Sequence, residues 1–330
     1  MAKVWARIRE TIERHRIAGL VSVIGAAGSV PRETGARIVL QPDGGFFGTI
    51  GGGRLEYEAI AAARAALAAG RGKAEFRDWP LGPNLGQCCG GVVKTLTETF
   101  DATDLAVVRR FEEAEKAGAF VVQSRLAEDG RIARSLAAHP ALAAQTESPL
   151  TALAKTTPFH EHFGEVTAPV LLFGAGHVGR AVVLALAPLP FAVRWIDSRP
   201  DQFPQYVPPN VVTVCTDAAD RELAEAPGDA MIVVMTHSHP LDFEITVAAL
   251  RRTAEFVGLI GSETKRARFI NWARQMGLTG SQIDRLVCPI GVPQIKGKDP
   301  AVIAAALAAQ LIIVRERVSV LHESPAVQPA

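Results

Sequence analysis

Two adjacent cysteines, Cys88 and Cys89, lie in a segment with glycines on both sides, residues 86–91. The glycines leave the backbone accessible, and a thiolate is a soft ligand that suits thiophilic metal centres and can accept or pass sulfur. Because neighbouring residues of an extended segment point in opposite directions, we expect one cysteine to be functional and the other to pack into the core. Cys215 and Cys288 lie on predicted strands and are expected to be buried and inert. The spacing of the four fits neither a zinc site nor a disulfide framework.

A second glycine-rich segment, residues 48–56, places three consecutive glycines (residues 51–53) directly before a predicted helix. Successive N–H groups at such a helix start form a nest that can hold a phosphate or another anion. The alternative is a plain strand-to-helix turn in which Glu56 or Glu58 is a carboxylate of the first helical turn. The sequence leaves both interpretations open.

The loop at residues 25–35 supplies polar side chains that would accompany this nest. It carries Ser29, Arg32 and Thr34, and Arg54 follows the three glycines. An arginine guanidinium can bind a phosphate through two parallel hydrogen bonds. We therefore expect an anion-binding surface in the first half, with Arg32, and as a second candidate Arg54, beside the nest.

The second half contains a GxGxxG fingerprint, formed by Gly174, Gly176 and Gly179, directly after the apolar run Val170–Phe173. Such glycines allow a tight turn, close approach of the backbone to phosphate and close packing of helix on sheet, and the helix N-terminus offers free N–H groups. Asp197 closes the next predicted strand, where an acidic residue can bind a ribose hydroxyl. The pattern predicts a Rossmann-like domain. It leaves open whether the loop binds a nucleotide, another phosphate or nothing.

Three histidines and a basic cluster are further candidates in the second half. His177 lies within the fingerprint and either faces a ligand phosphate or caps the helix. His237 and His239 follow the fourth strand, at the carboxyl edge where ligands of such sheets bind, and a solvated polar loop is the alternative. The basic cluster at residues 265–268 is expected to be a solvated helix face.

The elements that must position these residues differ between the two halves. In the first half we predict strands at 20–24, 36–41, 46–50 and 90–100 and helices at 54–69 and 104–117. In the second half apolar strands alternate with helices, which is typical of a doubly wound parallel sheet. We therefore predict an α/β protein with an N-terminal mixed α+β domain, residues 1–150, followed by a Rossmann-like doubly wound parallel-sheet domain, residues 151–330. Residues 136–168 lack periodicity and are interpreted as part of the connection, with His160 and His162 on the surface.

Composition and charge exclude several classes of protein. The chain has 330 residues, of which 48% are hydrophobic and 21% charged, as in soluble globular proteins and unlike disordered or coiled-coil chains. With 35 basic and 34 acidic residues, it lacks the basic surplus of a non-specific nucleic-acid binder. No apolar run reaches the roughly 18 residues of a membrane span, and the N-terminal helix lacks the apolar centre of a signal peptide. We expect a cytoplasmic protein that binds neither nucleic acid nor membrane.

Longer motifs occur in both halves of the chain. They are Gly28–Arg32, Gly48–Glu56 and Gln87–Gly91 in the first half, and Gly174–Val178, Met235–His237, Gly258–Ser262 and Cys288–Gly291 in the second. Through these motifs the sequence resembles the XdhC/CoxI family of xanthine dehydrogenase accessory proteins over nearly its whole length. The motifs of the first half are far more specific than the fingerprint, and the resemblance is greatest to the branch that serves xanthine dehydrogenase.

This resemblance implies a function that spacing alone does not show. Family members bind molybdenum cofactor, a pterin with a phosphate and a dithiolene that holds molybdenum. With a cysteine desulfurase, they are associated with insertion of its sulfurated form into apo xanthine dehydrogenase, at the molybdenum-binding subunit. The resemblance implies a binding and delivery protein, not a turnover enzyme. The candidate binding residues are Cys88 or Cys89 at the molybdenum, with Gln87, Ser29, Arg32, Gly51, Gly52, Gly53 and Arg54 in the first half, and Gly174, Gly176, His177, Gly179, Asp197 and His237 in the second.

Other functions remain open at this point. The fingerprint and Asp197 also fit an NAD(P)-dependent oxidoreductase, which needs a proton donor or acceptor beside the nicotinamide, and His237 or His239 is the candidate. A scaffold that bridges dehydrogenase and desulfurase, with a vestigial Rossmann domain, is a third interpretation. The sequence does not decide whether the second half binds a nucleotide or the phosphate of the cofactor. Nor does it decide whether the apolar face of the helix at 54–69 forms a homodimer.

Overall fold

The computed structural model describes residues 3–81, 90–137 and 158–323, with side chains up to residue 317. Gln87, Cys88 and Cys89 lie outside the described residues, and so does the predicted domain boundary after residue 150. The chain divides into two compact units, Met1–Val166 and Thr167–Ala330. The candidate residues of the two sequence halves therefore belong to different units.

The first unit contains a five-stranded antiparallel sheet in the order β3-β2-β1-β5-β4. Its strands are β1 (Ile17–Ala27), β2 (Arg37–Leu40), β3 (Phe46–Gly48), β4 (Glu75–Pro80) and β5 (Val92–Asp101). Strand β1 pairs with β5 from Ile17, opposite Asp101, to Ala27, opposite Val92. Because the two strands are antiparallel, this pairing positions the loop after β1 and the segment before β5 at the same end of the sheet.

A smaller antiparallel sheet in the order β7-β6-β8 completes the strands described in this unit. The remaining elements are β6 (Phe120–Leu126), β7 (Ile132–Leu136), β8 (Phe159–Phe163), α1 (Val4–His15), α2 (Gly53–Ala69) and α3 (Leu105–Ala117). Strand β8 lies inside the range interpreted as a connection, because five residues with alternate burial are too short a signal to stand out. His160 and His162 lie on β8, where His162 is exposed as expected and His160 is half-buried. Helices and antiparallel sheets together confirm the predicted mixed α+β organisation.

The core of the first unit combines aromatic residues from distant parts of its sequence. The ring centroid of Trp5 on α1 lies 4.7 Å from that of Phe111, 5.0 Å from that of Phe163 and 6.0 Å from that of Phe100. Glu115, near the end of α3, accepts hydrogen bonds from the backbone N–H groups at residues 4, 5 and 6, at 2.8, 3.1 and 3.3 Å. First-turn N–H groups have no partner within their helix, so this carboxylate stabilises the start of α1.

Four charged side chains are buried between the two sheets of the first unit. Arg134 on β7 donates to Glu98 on β5 at 2.8 and 2.6 Å, and to Glu161 on β8 at 2.7 Å. Arg37 on β2 lies 3.5 Å from Glu161 and 3.8 Å from the ring centroid of Phe163. None of these four charged side chains is more than 7% exposed, so each charge depends on its partners. The network links β8 to the larger sheet.

The second unit contains a six-stranded parallel sheet in the order β11-β10-β9-β12-β13-β14. Its strands are β9 (Ala168–Phe173), β10 (Phe191–Asp197), β11 (Val211–Cys215), β12 (Met231–Val234), β13 (Phe256–Leu259) and β14 (Leu286–Val287). Numbered within the unit, the order is 3-2-1-4-5-6, which is that of dinucleotide-binding domains. The predicted Rossmann-like sheet is confirmed.

Helices cover both faces of this sheet. They are α4 (His177–Leu186), α5 (Ala219–Glu225), α6 (His239–Arg251), α7 (Glu263–Gln275), α8 (Gly280–Asp284) and α9 (Pro300–Glu323). On β9, Val170 and Leu172 pack in a core with residues of α4 and α9, whereas Leu171 and Phe173 pack with residues of α6 and α7. A strand buried on both faces must be apolar throughout. The order of strands reverses between β9 and β12, and the crevice at their carboxyl ends is the place where ligands of such sheets bind.

Candidate functional site

The loop after β1 contacts two other glycine-rich segments of the first unit. A Cβ atom on Gly91 would lie 2.4 Å from the carbonyl oxygen of Ala27 and 2.5 Å from that of Ser29. A Cβ atom on Gly51, whose φ is +119°, would lie 2.5 Å from Cβ of Pro31. A side chain fits at neither position without displacing its neighbours. The loop after β1 therefore contacts both the segment before α2 and the segment before β5.

Gly90 and Gly91 are the first described residues after Cys88 and Cys89. Gly91 is buried, whereas Gly90 is exposed and a Cβ atom on it would meet nothing within 4 Å. The structure thus shows where the chain that follows the cysteines lies, which is against the loop of Ser29. The predicted roles of the two thiols stay predictions.

The predicted anion nest holds a carboxylate of the chain itself. Oε2 of Glu56 accepts hydrogen bonds from the hydroxyl of Thr49 at 2.6 Å, from the N–H of Ile50 at 2.9 Å and from the N–H of Gly52 at 3.1 Å. Burial works to raise the pKa of Glu56, but these hydrogen bonds favour the ionised carboxylate and hold its pKa below the ordinary value. This is the first-turn carboxylate that the sequence left as an alternative. An anion from outside would have to displace it.

The two arginines expected beside the nest both have carboxylate partners. Nη2 of Arg32 donates to Oε1 of Glu33 at 3.2 Å, and Nε of Arg54 donates to Oε1 of Glu58 at 2.7 Å. Surface pairs of this kind contribute little to stability, so a ligand can compete for the guanidinium. Ser29 is exposed on the same loop as Arg32.

A groove of about 560 Å³ runs along α2 next to the nest. Its lining includes the rings of Phe46 and Tyr57, the second of which is 75% exposed, together with Glu56 and Arg64. Aromatic rings beside a carboxylate and a guanidinium suit a planar heterocycle with polar edges.

The apolar face of α2 lies elsewhere. Leu55, Ala59, Ala63 and Leu67 are buried in the core of the first unit. The sequence left open whether this face forms a homodimer; because the face is buried in the core of the first unit, it is not available for such a contact.

In the second unit, the first and third glycines of the fingerprint are required by packing. A Cβ atom on Gly174, whose φ is +116°, would lie 2.2 Å from the carbonyl oxygen of Met235, and one on Gly179 would lie 2.1 Å from that of Gly174. Nε1 of Trp195 also donates to this Gly174 oxygen, at 3.0 Å. Gly176 differs, because a Cβ atom on it would meet nothing within 4 Å. The loop is thus tightly packed against the protein at its first and third glycines, whereas space is open beside the second.

The histidines near this loop are on the surface. The N-cap of α4 is Gly176, so His177 does not cap the helix and is exposed at its first position. His237 is exposed in the loop after β12, and Nδ1 of the exposed His239 lies 3.9 Å from Oδ2 of Asp242. All three remain available to a ligand.

Asp197 is at the predicted end of β10, but its carboxylate is already engaged. It accepts hydrogen bonds from the N–H of Ala175 at 2.7 Å and from Nε and Nη2 of Arg199, each at 2.9 Å. Burial works to raise the pKa of Asp197, yet these hydrogen bonds and the adjacent guanidinium outweigh it and lower the pKa to about 2. A ribose hydroxyl would therefore meet a carboxylate covered by Arg199.

Sequence analysis missed a buried ion pair in the crevice. Oδ1 of Asp242 accepts hydrogen bonds from the N–H and the hydroxyl of Thr236, both at 2.8 Å, and Oδ2 accepts one from Nζ of Lys265 at 2.6 Å. The side chain of Asp242 is 1% exposed and that of Lys265 is 12% exposed. The pair holds the loop after β12, the start of α6 and the start of α7 together.

The expectation that residues 265–268 form a solvated basic face is therefore wrong for Lys265, which is largely buried and paired with Asp242. The next turn of the same helical face carries Phe269, which is fully buried, whereas Arg268 is exposed. The spacing of four residues between Lys265 and Phe269 was a signal that could have found this inward orientation.

The two described cysteines differ from each other. Cys288 is buried as expected, and burial raises the pKa of its thiol to about 11. Cys215 is exposed, because β11 is the edge strand of the sheet. Its expected burial was wrong.

The described parts of the chain contain neither a metal-binding cluster nor a membrane-spanning helix. Within residues 3–81, 90–137 and 158–323, no three or more His, Cys, Asp or Glu residues are grouped so that they could hold a metal ion. Over the same ranges, none of the helices has the length and apolar character needed to cross a lipid bilayer.

Known sequence families match both units. A model of the XdhC Rossmann domain matches residues 170–311, and a model of the XdhC and CoxI family matches residues 11–77. The chain belongs to the XdhC/CoxI family. The first match includes the fingerprint of the second unit, and the second includes the nest of the first unit. The resemblance inferred from the motifs is therefore confirmed.

Individual relatives of this XdhC/CoxI chain are distant. A Bacillus halodurans protein described as a xanthine dehydrogenase has a TM-score of 0.72 at 20% identity, over 100% of this chain and 98% of that one, which shows a shared fold. The uncharacterised Escherichia coli K12 protein YqeB is 27% identical over 149 residues, which is 44% of this chain and 27% of YqeB. The match therefore spans only about a quarter of YqeB. ChuY of Escherichia coli CFT073, at 17% identity over 49% of this chain and 93% of its own, has a TM-score of 0.27, too low for comparison.

Proposed function

We propose that this chain is a chaperone for molybdenum cofactor. It binds the cofactor as cargo in its first unit, protects the sulfurated form and delivers it to the molybdenum-binding subunit of an apo xanthine dehydrogenase. A cysteine desulfurase supplies the sulfur, and the chain itself turns over no substrate. Membership of the XdhC/CoxI family supports this role, as does the description of the Bacillus halodurans protein of similar fold as a xanthine dehydrogenase. A reducing cytoplasm would keep the two thiols free.

The observation that carries the proposal is the contact between Gly91 and the loop of Ser29. Gly91 follows the cysteine pair by two residues and is buried against that loop. Thiols are ligands for a thiophilic metal, and a hydroxyl and a guanidinium are partners for a phosphate. The contact brings the segment that follows the thiols to the loop that carries Ser29 and Arg32, so that one cargo molecule could use both.

The polar end of the cofactor is assigned to side chains and not to the nest. Because Glu56 occupies the N–H groups of Ile50 and Gly52, we assign the phosphate to Ser29 and Arg32. The groove along α2, with its exposed Tyr57 ring, suits the pterin.

A titration of the purified full chain with molybdenum cofactor tests the proposal. Bound molybdenum and bound pterin are measured for the wild type, for Cys88→Ala/Cys89→Ala and for Cys215→Ala as the matched cysteine control. We expect about one equivalent in the wild type and in the control, and a clear loss in the double variant. No binding to the wild type would reject the chaperone. Unchanged binding in the double variant would remove the thiols from it.

Delivery is tested by adding the loaded chain to apo xanthine dehydrogenase and measuring recovered enzyme activity, with and without a cysteine desulfurase. A chaperone activates the dehydrogenase in proportion to the cargo it carries. A scaffold would bind both partners equally well when Cys88 and Cys89 are replaced, and that outcome would favour the scaffold instead.

A further inference from the structure

We propose that the Rossmann unit is a separate binding site for a 2′-phosphorylated dinucleotide, NADP(H), and that Arg199 selects it over NAD(H). The proposal goes beyond the delivery of molybdenum cofactor, because it uses no residue of the first unit. It rests on the contacts at the three positions along the crevice where such a ligand has its diphosphate, its adenosine ribose and its nicotinamide.

The diphosphate position fits such a ligand. Gly174 and Gly179 bring the start of α4 against the ends of β9 and β12, and no side chain there can intrude without a clash. Of the three glycines of the fingerprint, Gly176 is the one at which a Cβ atom would project into open space. A diphosphate needs this access to the backbone N–H groups at the start of the helix. The nest of the first unit lacks comparable access, since Glu56 fills it.

The adenosine ribose position carries the selectivity. A domain that binds NAD(H) offers a carboxylate to the ribose 2′-hydroxyl, whereas one that binds NADP(H) places an arginine near the 2′-phosphate. Here Nε and Nη2 of Arg199 both bond to Asp197, so the guanidinium covers the carboxylate. Arg199 is 34% exposed on its side chain against 3% for Asp197, so the guanidinium is the group that a ligand meets. With Nε and Nη2 bonded to Asp197, Nη1 of Arg199 is left as a donor for a 2′-phosphate.

The nicotinamide position has a fixed polar wall. Gly174 lies against Met235 and Thr236 at the end of β12. Asp242 holds Thr236 through two hydrogen bonds and is itself neutralised by Lys265. These two charged residues position the loop that carries His237 beside the fingerprint. The motif at residues 235–237, which the delivery of cofactor does not require, thus has a place in the dinucleotide site.

The test compares the affinities of NADPH and NADH for the purified full chain, followed by calorimetry or by the fluorescence of the reduced nicotinamide. We expect the wild type to bind NADPH at least tenfold more tightly than NADH. Arg199→Ala should weaken NADPH by about tenfold or more, corresponding to one charge-assisted interaction. It should leave NADH binding unchanged or tighter, because the carboxylate of Asp197 becomes available to the 2′-hydroxyl. Arg199→Lys should retain part of the preference for NADPH.

Arg221→Ala is the matched control, since Arg221 also pairs with a carboxylate, Glu225, but on the exposed face of α5. Its affinities should equal those of the wild type. The proposal is overturned if the wild type binds neither dinucleotide. It is also overturned if Arg199→Ala weakens the affinities for NADPH and NADH equally while its circular dichroism spectrum and melting temperature stay unchanged. Cys88→Ala/Cys89→Ala should bind NADPH normally. Failure of the chaperone proposal can therefore be distinguished from failure of the proposed NADP(H) site.

Discussion

A Cβ atom placed on Gly91 would lie 2.5 Å from the carbonyl oxygen of Ser29, so the backbones of the two segments are in direct contact. The contact is possible because β1 and β5 pair as far as Ala27 and Val92, where the loop of Ser29 begins and the segment of Gly91 ends. The neighbouring Gly90 has open space around it. Two adjacent glycines thus have opposite tolerances for a side chain.

Gly91→Ala should lower the free energy of unfolding by about 1–3 kcal/mol, the usual cost of forcing atoms into a packed position. It should also weaken binding of molybdenum cofactor, because the loop of Ser29 must move. Gly90→Ala is the matched control and should change stability by less than about 0.5 kcal/mol. Urea denaturation of both variants measures this. Equal stabilities would show that the loop does not depend on the contact.

Glu56→Gln should destabilise the first unit in a manner that depends on pH. The neutral amide is a weaker acceptor for the nest, and we expect a loss of about 1 kcal/mol at pH 7, at the low end for a charged acceptor because the carboxylate is partly solvated. Since the pKa of Glu56 is lowered in the folded chain, its contribution is present above the pKa of the unfolded chain and is lost as the pH falls through the folded pKa.

The stability difference between wild type and Glu56→Gln should therefore be full above about pH 5 and should shrink below about pH 4. Urea denaturation across this pH range measures it. Glu58→Gln, which removes only an i,i+4 surface pair with Arg54, is the control and should show a smaller difference. A gap that does not narrow in acid would contradict the role given to the carboxylate.

Lys265→Met should cost about 3–5 kcal/mol, because it leaves the buried carboxylate of Asp242 without its cation. Combining it with Asp242→Asn should cost less than the sum of the two single substitutions, since the uncompensated charge is removed. Arg268→Met, one turn away and exposed, should be nearly neutral. A thermodynamic cycle from denaturant titrations measures the coupling, and strictly additive effects would mean that the pair is not coupled.

Arg134→Met should destabilise the first unit by about 3–5 kcal/mol, because Glu98 and Glu161 both lose their shared partner in a buried position. Arg125→Met on the neighbouring strand β6 is the control, since Arg125 is exposed. Melting temperatures of the full chain give the comparison. A change in Arg134→Met no larger than that of the control would show that the two carboxylates find other partners.

Local patterns were sufficient to predict much of the second unit. Its strands are continuous apolar runs, such as Met231–Val234, and the fingerprint marks the first turn between strand and helix. The burial of β11 was not predicted correctly. An apolar run does not reveal whether a strand has a neighbour on both sides or lies at the edge of the sheet. Because β11 is the edge strand, Cys215 is exposed.

The candidate sites could be predicted only in part. The sequence left open a plain turn with Glu56 or Glu58 as a carboxylate of the first helical turn, and it could not decide between that turn and a phosphate nest. That Glu56 fills the nest is seen only in the folded chain. The partner of Lys265 was missed because only the fold brings it near: Asp242 lies 23 residues away in the chain. Asp197 and Arg199 are close in the chain, but the low pKa of Asp197 also depends on a hydrogen bond from the N–H of Ala175, which only the fold brings near.

Strand β8 has a consequence for the order in which the protein can be assembled during synthesis. The glycine-rich motifs of the first unit are complete by residue 91, but β8 supplies Glu161 to the buried arginines and Phe163 to the ring of Trp5. A growing chain therefore exposes these glycine-rich motifs well before the unit that supports them can close. Translation must proceed beyond residue 163 before the first unit reaches its final form. If the chain is the chaperone proposed above, its cargo is loaded after the first unit has been synthesised and not while the motifs emerge.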